Sequence, residues 1–150
     1  MLLYKKQDID LDSFFHRELI RGFDAEGINP FHFDNYNSFV YLKNLLLDYT
    51  SKRINFLYYF DVLDKDLEKK REFSDTITFL EGLFPRFIMN RFGKSGKFYV
   101  VQAKTFYIEL YLDNKHNNDG QKYDNNKSRV FEQLGENLEV YIGCLRHIVV

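Results

Sequence analysis

The stretch KFYVVQAKTFYIELYL, residues 97–112, decides the fold. Its Tyr, Phe, Val and Ile content favours a β-strand, because branched and aromatic side chains fit a pleated, half-buried surface. A half-buried strand alternates apolar and polar residues, and strict alternation fails here. Tyr99, Ala103, Phe106 and Leu110 instead recur every three or four residues, with Tyr107 and Tyr111 beside them. That is the spacing of one helical face, so the stretch is expected to be a helix, with strand as the alternative.

Just upstream, FLEGLFPRFI (residues 79–88) sets a glycine and a proline into a run of large apolar side chains. Phe73, Ile77, Leu80 and Phe84 carry a helical stripe into it from a charged opening, DKDLEKKRE. Gly82 suits a helix end, and Pro85, lacking an N–H, suits the first position of a new helix. Gly82, Leu83, Phe84 and Pro85 therefore read as a structural corner, with Leu83 and Phe84 pointing inward. A short helix over residues 85–92 follows, ended by Gly93.

Four further elements are legible. A first helix begins near Asp12 or Ser13, buries Phe15, Leu19 and Phe23, and stops at Gly27, with Pro30 beyond it. Residues 28–37 read as a loop. Asn37 or Ser38 would cap a second helix whose inner face is Phe39, Leu42, Leu45, Leu46 and Tyr49. INFLYYFDVL, residues 54–63, prefers strand locally but sits among helices and reads as a buried helix. Residues 113–127, rich in Asn, Asp and Gly, are expected to form a mobile loop. From about Ser128 a last helix keeps Val130, Phe131, Leu134, Leu138, Tyr141, Ile142, Leu145 and Ile148 in one stripe. The expectation is an all-α, single-domain bundle of five to seven helices over residues 1–150, with a Gly-Pro break near 82–85.

Composition narrows the function. A chain of 150 residues, 45% of them apolar, can bury a core without disulfides or metals. Twenty-one basic and 22 acidic side chains nearly cancel, leaving no whole-chain field for nucleic acid or an anionic membrane. Cys144 stands alone, which excludes an intrachain disulfide and a cysteine-based zinc site. The opening residues lack the apolar run of a signal peptide, and no window approaches about 18 uninterrupted apolar residues. A cytoplasmic protein with no membrane span is expected.

Short motifs do not add up to a reaction. GKSGK, residues 93–97, lacks the glycine and the Ser or Thr that a phosphate loop needs. DIDLDS, residues 8–13, opens like a calcium loop but has neither its glycine nor its distal glutamate. His16, His32, His116 and His147 form no metal-binding pair at helical spacing. Cys144 and His147 lie three apart, a weak nucleophile pattern. Asp61, Asp64 and Glu68 face Lys65, Lys69 and Arg71 as a solvated charge face. Arg86, Arg91, Lys94, Lys97 and Lys104 alternate with Phe87, Phe92, Phe98 and Tyr99, a composition able to bind phosphates and stack on bases.

The chain resembles a group of uncharacterised, mostly helical bacterial proteins that share a G-[FL]-F-P corner. The matching pieces are SDTITFLEGLFPRFI (residues 74–88) and FYVVQAKTFY (98–107), with FFHRELIRGFDAEGI and SFVYLKNLLLDY nearer the start. Arg86 stands where that group often has an acidic residue, and Ala103 and Phe106 where it has smaller ones. The Asn-rich stretch looks like an insertion. The resemblance implies a helical fold and carries over no catalytic residue. The functional expectation is a non-enzymatic protein–protein interaction module, an adaptor or regulatory subunit without cofactors. It is expected to pair with another chain or with itself as a homodimer, its surplus apolar residues including those of the C-terminal HIVV. The alternative is an anion- or nucleic-acid-binding module using residues 86–104.

Overall fold

The computed structural model describes residues 10–51, 66–93, 96–117 and 125–148. Among them are six helices and no strand: α1 (Leu11–Ala25), α2 (Phe33–Ser51), α3 (Leu67–Leu83), α4 (Phe87–Phe92), α5 (Gly96–Asn117) and α6 (Asn125–Arg146). The stretch that opened the question is helical throughout, inside α5. The helix expected over residues 54–63 lies outside the described residues, as do Asp61, Asp64 and Lys65 of the expected charge face.

Helix α1 starts slightly earlier than expected, because Asp10 caps it. The Asp10 carboxylate accepts from the Asp12 N–H at 3.0 Å and from the Ser13 hydroxyl at 2.9 Å. Its other end is the predicted glycine stop. Gly27 has φ 75°, and the Ile28 and Gly27 N–H groups reach back to the Phe23 and Asp24 carbonyls at 2.8 and 3.0 Å. Those two bonds satisfy carbonyls that the helix end would orphan.

Two expected loops are shorter than their composition suggested. Helix α2 begins at Phe33 rather than near Ser38, because the His32 carbonyl accepts from the Asn35 and Tyr36 N–H groups at 2.8 and 3.0 Å. Ser38, expected as a cap, is buried instead and donates to Gln133 on α6. The Asn-rich stretch is helical at both ends, since α5 continues to Asn117 and α6 starts at Asn125. Extending an existing helix adds one hydrogen bond per residue fixed, which offsets the poor propensity of Asp and Asn.

The corner is real, but its parts differ from expectation. Gly82 lies inside the last turn of α3, where a Cβ would come within 2.6 Å of Leu145. Close packing on α6, not helix termination, requires the glycine. Pro85 precedes α4 by two residues and occupies the second place of a turn closed by Phe87 N–H to Phe84 O at 2.9 Å. Arg86 follows with φ −97° and ψ −5°, the third-place geometry of a type I turn. Leu83 is buried as expected. Phe84 is exposed, its ring edge-on to Phe79, where the chain leaves helical geometry at φ −134° and ψ 66°. Gly93 ends α4 in the left-handed region at φ 70°.

Helix α6 forms the common wall of the core, packing on α1, α2, α3 and α5. All eight residues of its predicted stripe are buried, Ile148 among them, so it does not add to the surplus apolar surface expected of HIVV; Val149 and Val150 lie outside the described residues. Gly22 allows the closest approach: a Cβ there would meet the Cys144 carbonyl oxygen at 2.2 Å. Helix α3 runs through the middle, with every residue from Phe73 to Leu83 buried.

Candidate interaction surface on the fifth helix

Burying α3 from Phe73 onward forces polar residues into the core, and Asp75 is the most buried of its charged residues at 4% exposure. It survives there because donors surround it. Tyr107 on α5 donates to its Oδ1 at 2.6 Å, Tyr41 on α2 donates to the same atom at 2.7 Å, and Arg71 reaches Oδ2 at 3.3 Å. Burial pushes the Asp75 carboxyl up, and the two phenols and the guanidinium pull it back, leaving it at about 6. The same burial and the facing carboxylate drive both tyrosines well above their usual range. Phe131 stacks on Tyr107 and meets Tyr41 edge-on, sealing the cluster from water. With both of its oxygens bonded, the network locks three helices in register.

The basic segment is dispersed by the fold. Arg86 and Arg91 are exposed on either end of α4, while Lys97 is the second residue of α5 and Lys104 lies about two turns further along; Lys94 is outside the described residues. Lys104 is held by both oxygens of Glu139 on α6, at 2.8 and 3.0 Å. Carboxylates from α3 and α6, distant in sequence, therefore stand among these cations. Cys144 is fully buried and burial pushes its thiol up to about 12, while His147 turns to Glu26 at 3.2 Å. His16 packs edge-on against Phe39, and His32 stacks on Phe33. Glu68 and Arg71 pair at 2.5 Å, the described part of the expected charge face. Among the described residues no cluster of His, Cys, Asp and Glu could hold a metal.

Sequence reading missed a second face on α5. Its inner face is the predicted one: Ala103, Phe106, Tyr107 and Leu110 are buried and Tyr99 is half-buried. Half a turn away lie Phe98, Val101, Thr105, Ile108 and Leu112, spaced three, four, three, four. Phe98, Val101 and Leu112 are 57%, 63% and 45% exposed. Thr105 is exposed and Ile108 half-buried, its side chain lying over Gly135 of α6. This is an apolar seam of the kind that two helices share in a coiled coil. A different exposed aromatic group, Phe31, Phe33 and Tyr36, sits at the start of α2 but shares no such stripe.

Two depressions flank the seam, and Val101 lines both. One, of about 330 Å³, is walled by Glu81, Lys97, Val100, Glu139, Ile142 and Arg146. In it Arg146 bonds the Glu81 main-chain carbonyl at 3.1 Å and the Oε2 atom at 3.3 Å. Oε1 of Glu81 is buried against Gly96 without a hydrogen bond, and burial raises that carboxyl while Arg146 counters. The other, of about 370 Å³, is shallow and runs along Lys104, Thr105, Ile108, Glu109 and Gly135. Among the described residues no helix is long and apolar enough to cross a membrane, so this exposed seam is not a membrane span. Set against family models, curated proteins and solved structures, the chain matches none of them, and its function has to be argued from these side chains.

Proposed function

We propose that the protein is a non-enzymatic interaction module, an adaptor or regulatory subunit, that associates through the outer face of α5. One observation carries this: α5 is apolar on two opposite faces, and the described helices bury one of them while leaving Phe98, Val101 and Leu112 of the other exposed. Exposed apolar stripes of this length cost solubility, and burial against another chain relieves that. The anion-binding reading of residues 86–104 has less support, because carboxylates stand where an anion would bind: Glu139 lies against Lys104 and, with Glu81, lines the depression beside Lys97.

The test is sedimentation equilibrium over a wide concentration range on the wild type and on Val101→Lys. The wild type is expected to associate, and the variant to remain monomeric with an unchanged circular dichroism spectrum. A wild type that stays monomeric throughout, or a variant that associates equally well, overturns the reading.

A further inference from the structure

We infer that the occupant of the α5 seam is the α5 of a second copy, lying parallel to it about a two-fold axis that runs along the seam. The inference rests on the interaction reading above and adds the partner and its orientation. In a heptad, Phe98, Thr105 and Leu112 take the a positions and Val101 and Ile108 the d positions. The flanking places then follow. Lys97 and Lys104 fall at g, on the α6 side, and Gln102 and Glu109 at e, on the α3 side.

Orientation is decided by those flanks. Parallel helices bring each g residue against the e residue of the following heptad on the partner. Lys104 then meets Glu109 of the second copy, and the two-fold axis makes that contact twice. Lys97 meets Gln102 of the second copy, also twice. Antiparallel helices would instead set g against g and e against e, so that no lysine meets a glutamate and, in the register centred on Lys104, two lysines come together. Like charges across such an edge oppose association.

The groups can form these pairs without leaving their own chain. Lys70 takes only Oε2 of Glu109, at 2.6 Å. Lys104 is bound to the two oxygens of Glu139 and has a third ammonium hydrogen for another acceptor. Each pair therefore extends an existing one across the seam.

Thr105→Cys tests the orientation. In the parallel arrangement the two a residues face each other, so oxidised glutathione is expected to join most of the variant into a disulfide-linked dimer; buried Cys144 does not compete. Charge exchange gives a second reading. Lys104→Glu and Glu109→Lys are each expected to weaken self-association about tenfold, since each sets like charges together twice. An equimolar mixture of the two variants is expected to recover wild-type affinity within about threefold, because both contacts become attractive. Mixing cannot restore the intrachain pairs with Glu139 and Lys70, so recovery reports on the interface alone. Association without cross-linking, or without recovery on mixing, overturns the parallel pairing and leaves the interaction reading standing. A monomeric wild type overturns both.

Discussion

On its inner face α5 gives Tyr107 to a carboxylate with three donors, and Ser74 of α3 donates to the Ala103 carbonyl at 3.1 Å. On its outer face the one polar group of the seam, the Thr105 hydroxyl, turns back to the Val101 carbonyl of its own helix at 3.0 Å. The inner face is fixed by hydrogen bonds that have no substitute once water is excluded. The outer face carries only shape and area, with its charges confined to the edges. One helix thus carries both a face with a single internal arrangement and an apolar face that the described helices leave largely exposed.

The largest expected effect falls on the inner side. Asp75→Ala leaves two buried phenols without the carboxylate they donate to and is expected to cost about 3–5 kcal/mol of stability in urea unfolding. A loss below about 1 kcal/mol would show that the network is ornamental. Acidity probes the same contrast. The folded chain keeps the Asp75 proton up to about pH 6, whereas the ordinary value is 3.8, so between them the folded state binds more protons. This group's contribution is therefore full below about pH 4 and is lost as pH rises through about 6, a swing on the order of 3 kcal/mol. Comparing wild type with Asp75→Asn across that window isolates it; a difference that grows with pH contradicts the assignment. Tyr107→Phe removes one of the donors and is expected to cost about 1–3 kcal/mol, with association unchanged. Val101→Lys sits at the other end, within about 0.5 kcal/mol of wild-type stability while association is lost. If it destabilised the monomer as Tyr107→Phe does, the two faces would not be the separate devices described here.

The fold was largely legible because its stripes are strong. Phe15, Leu19 and Phe23 in α1, and the long stripe of α6, are buried as their spacing requires. The corner was legible as a bend, but Gly82 owes its place to Leu145, and Phe84 turns outward. Neither fact is local, so neither shows in a short window. The Asp75 cluster was hidden for the same reason: Tyr41 and Tyr107 are 34 and 32 residues away from it in the chain. The outer seam was hidden differently. Two apolar faces on one helix cancel its amphipathic signal, so choosing the stripe through Ala103 and Phe106 left the residues of the other stripe as background. Only the packing of α3 and α6 on one side of α5 reveals which stripe is spare.

Because α6 is the wall against which α1, α2, α3 and α5 rest, and the latest of them in chain order, the order of assembly is constrained. Phe23 of α1 can meet Phe39 of α2 early, but its contact with Tyr141 waits until residues 125–146 arrive. Gly22 then has to find Cys144 across most of the chain. Refolding is expected to be slower than in a bundle of sequential helical hairpins, since distant contacts carry a larger loop-closure cost.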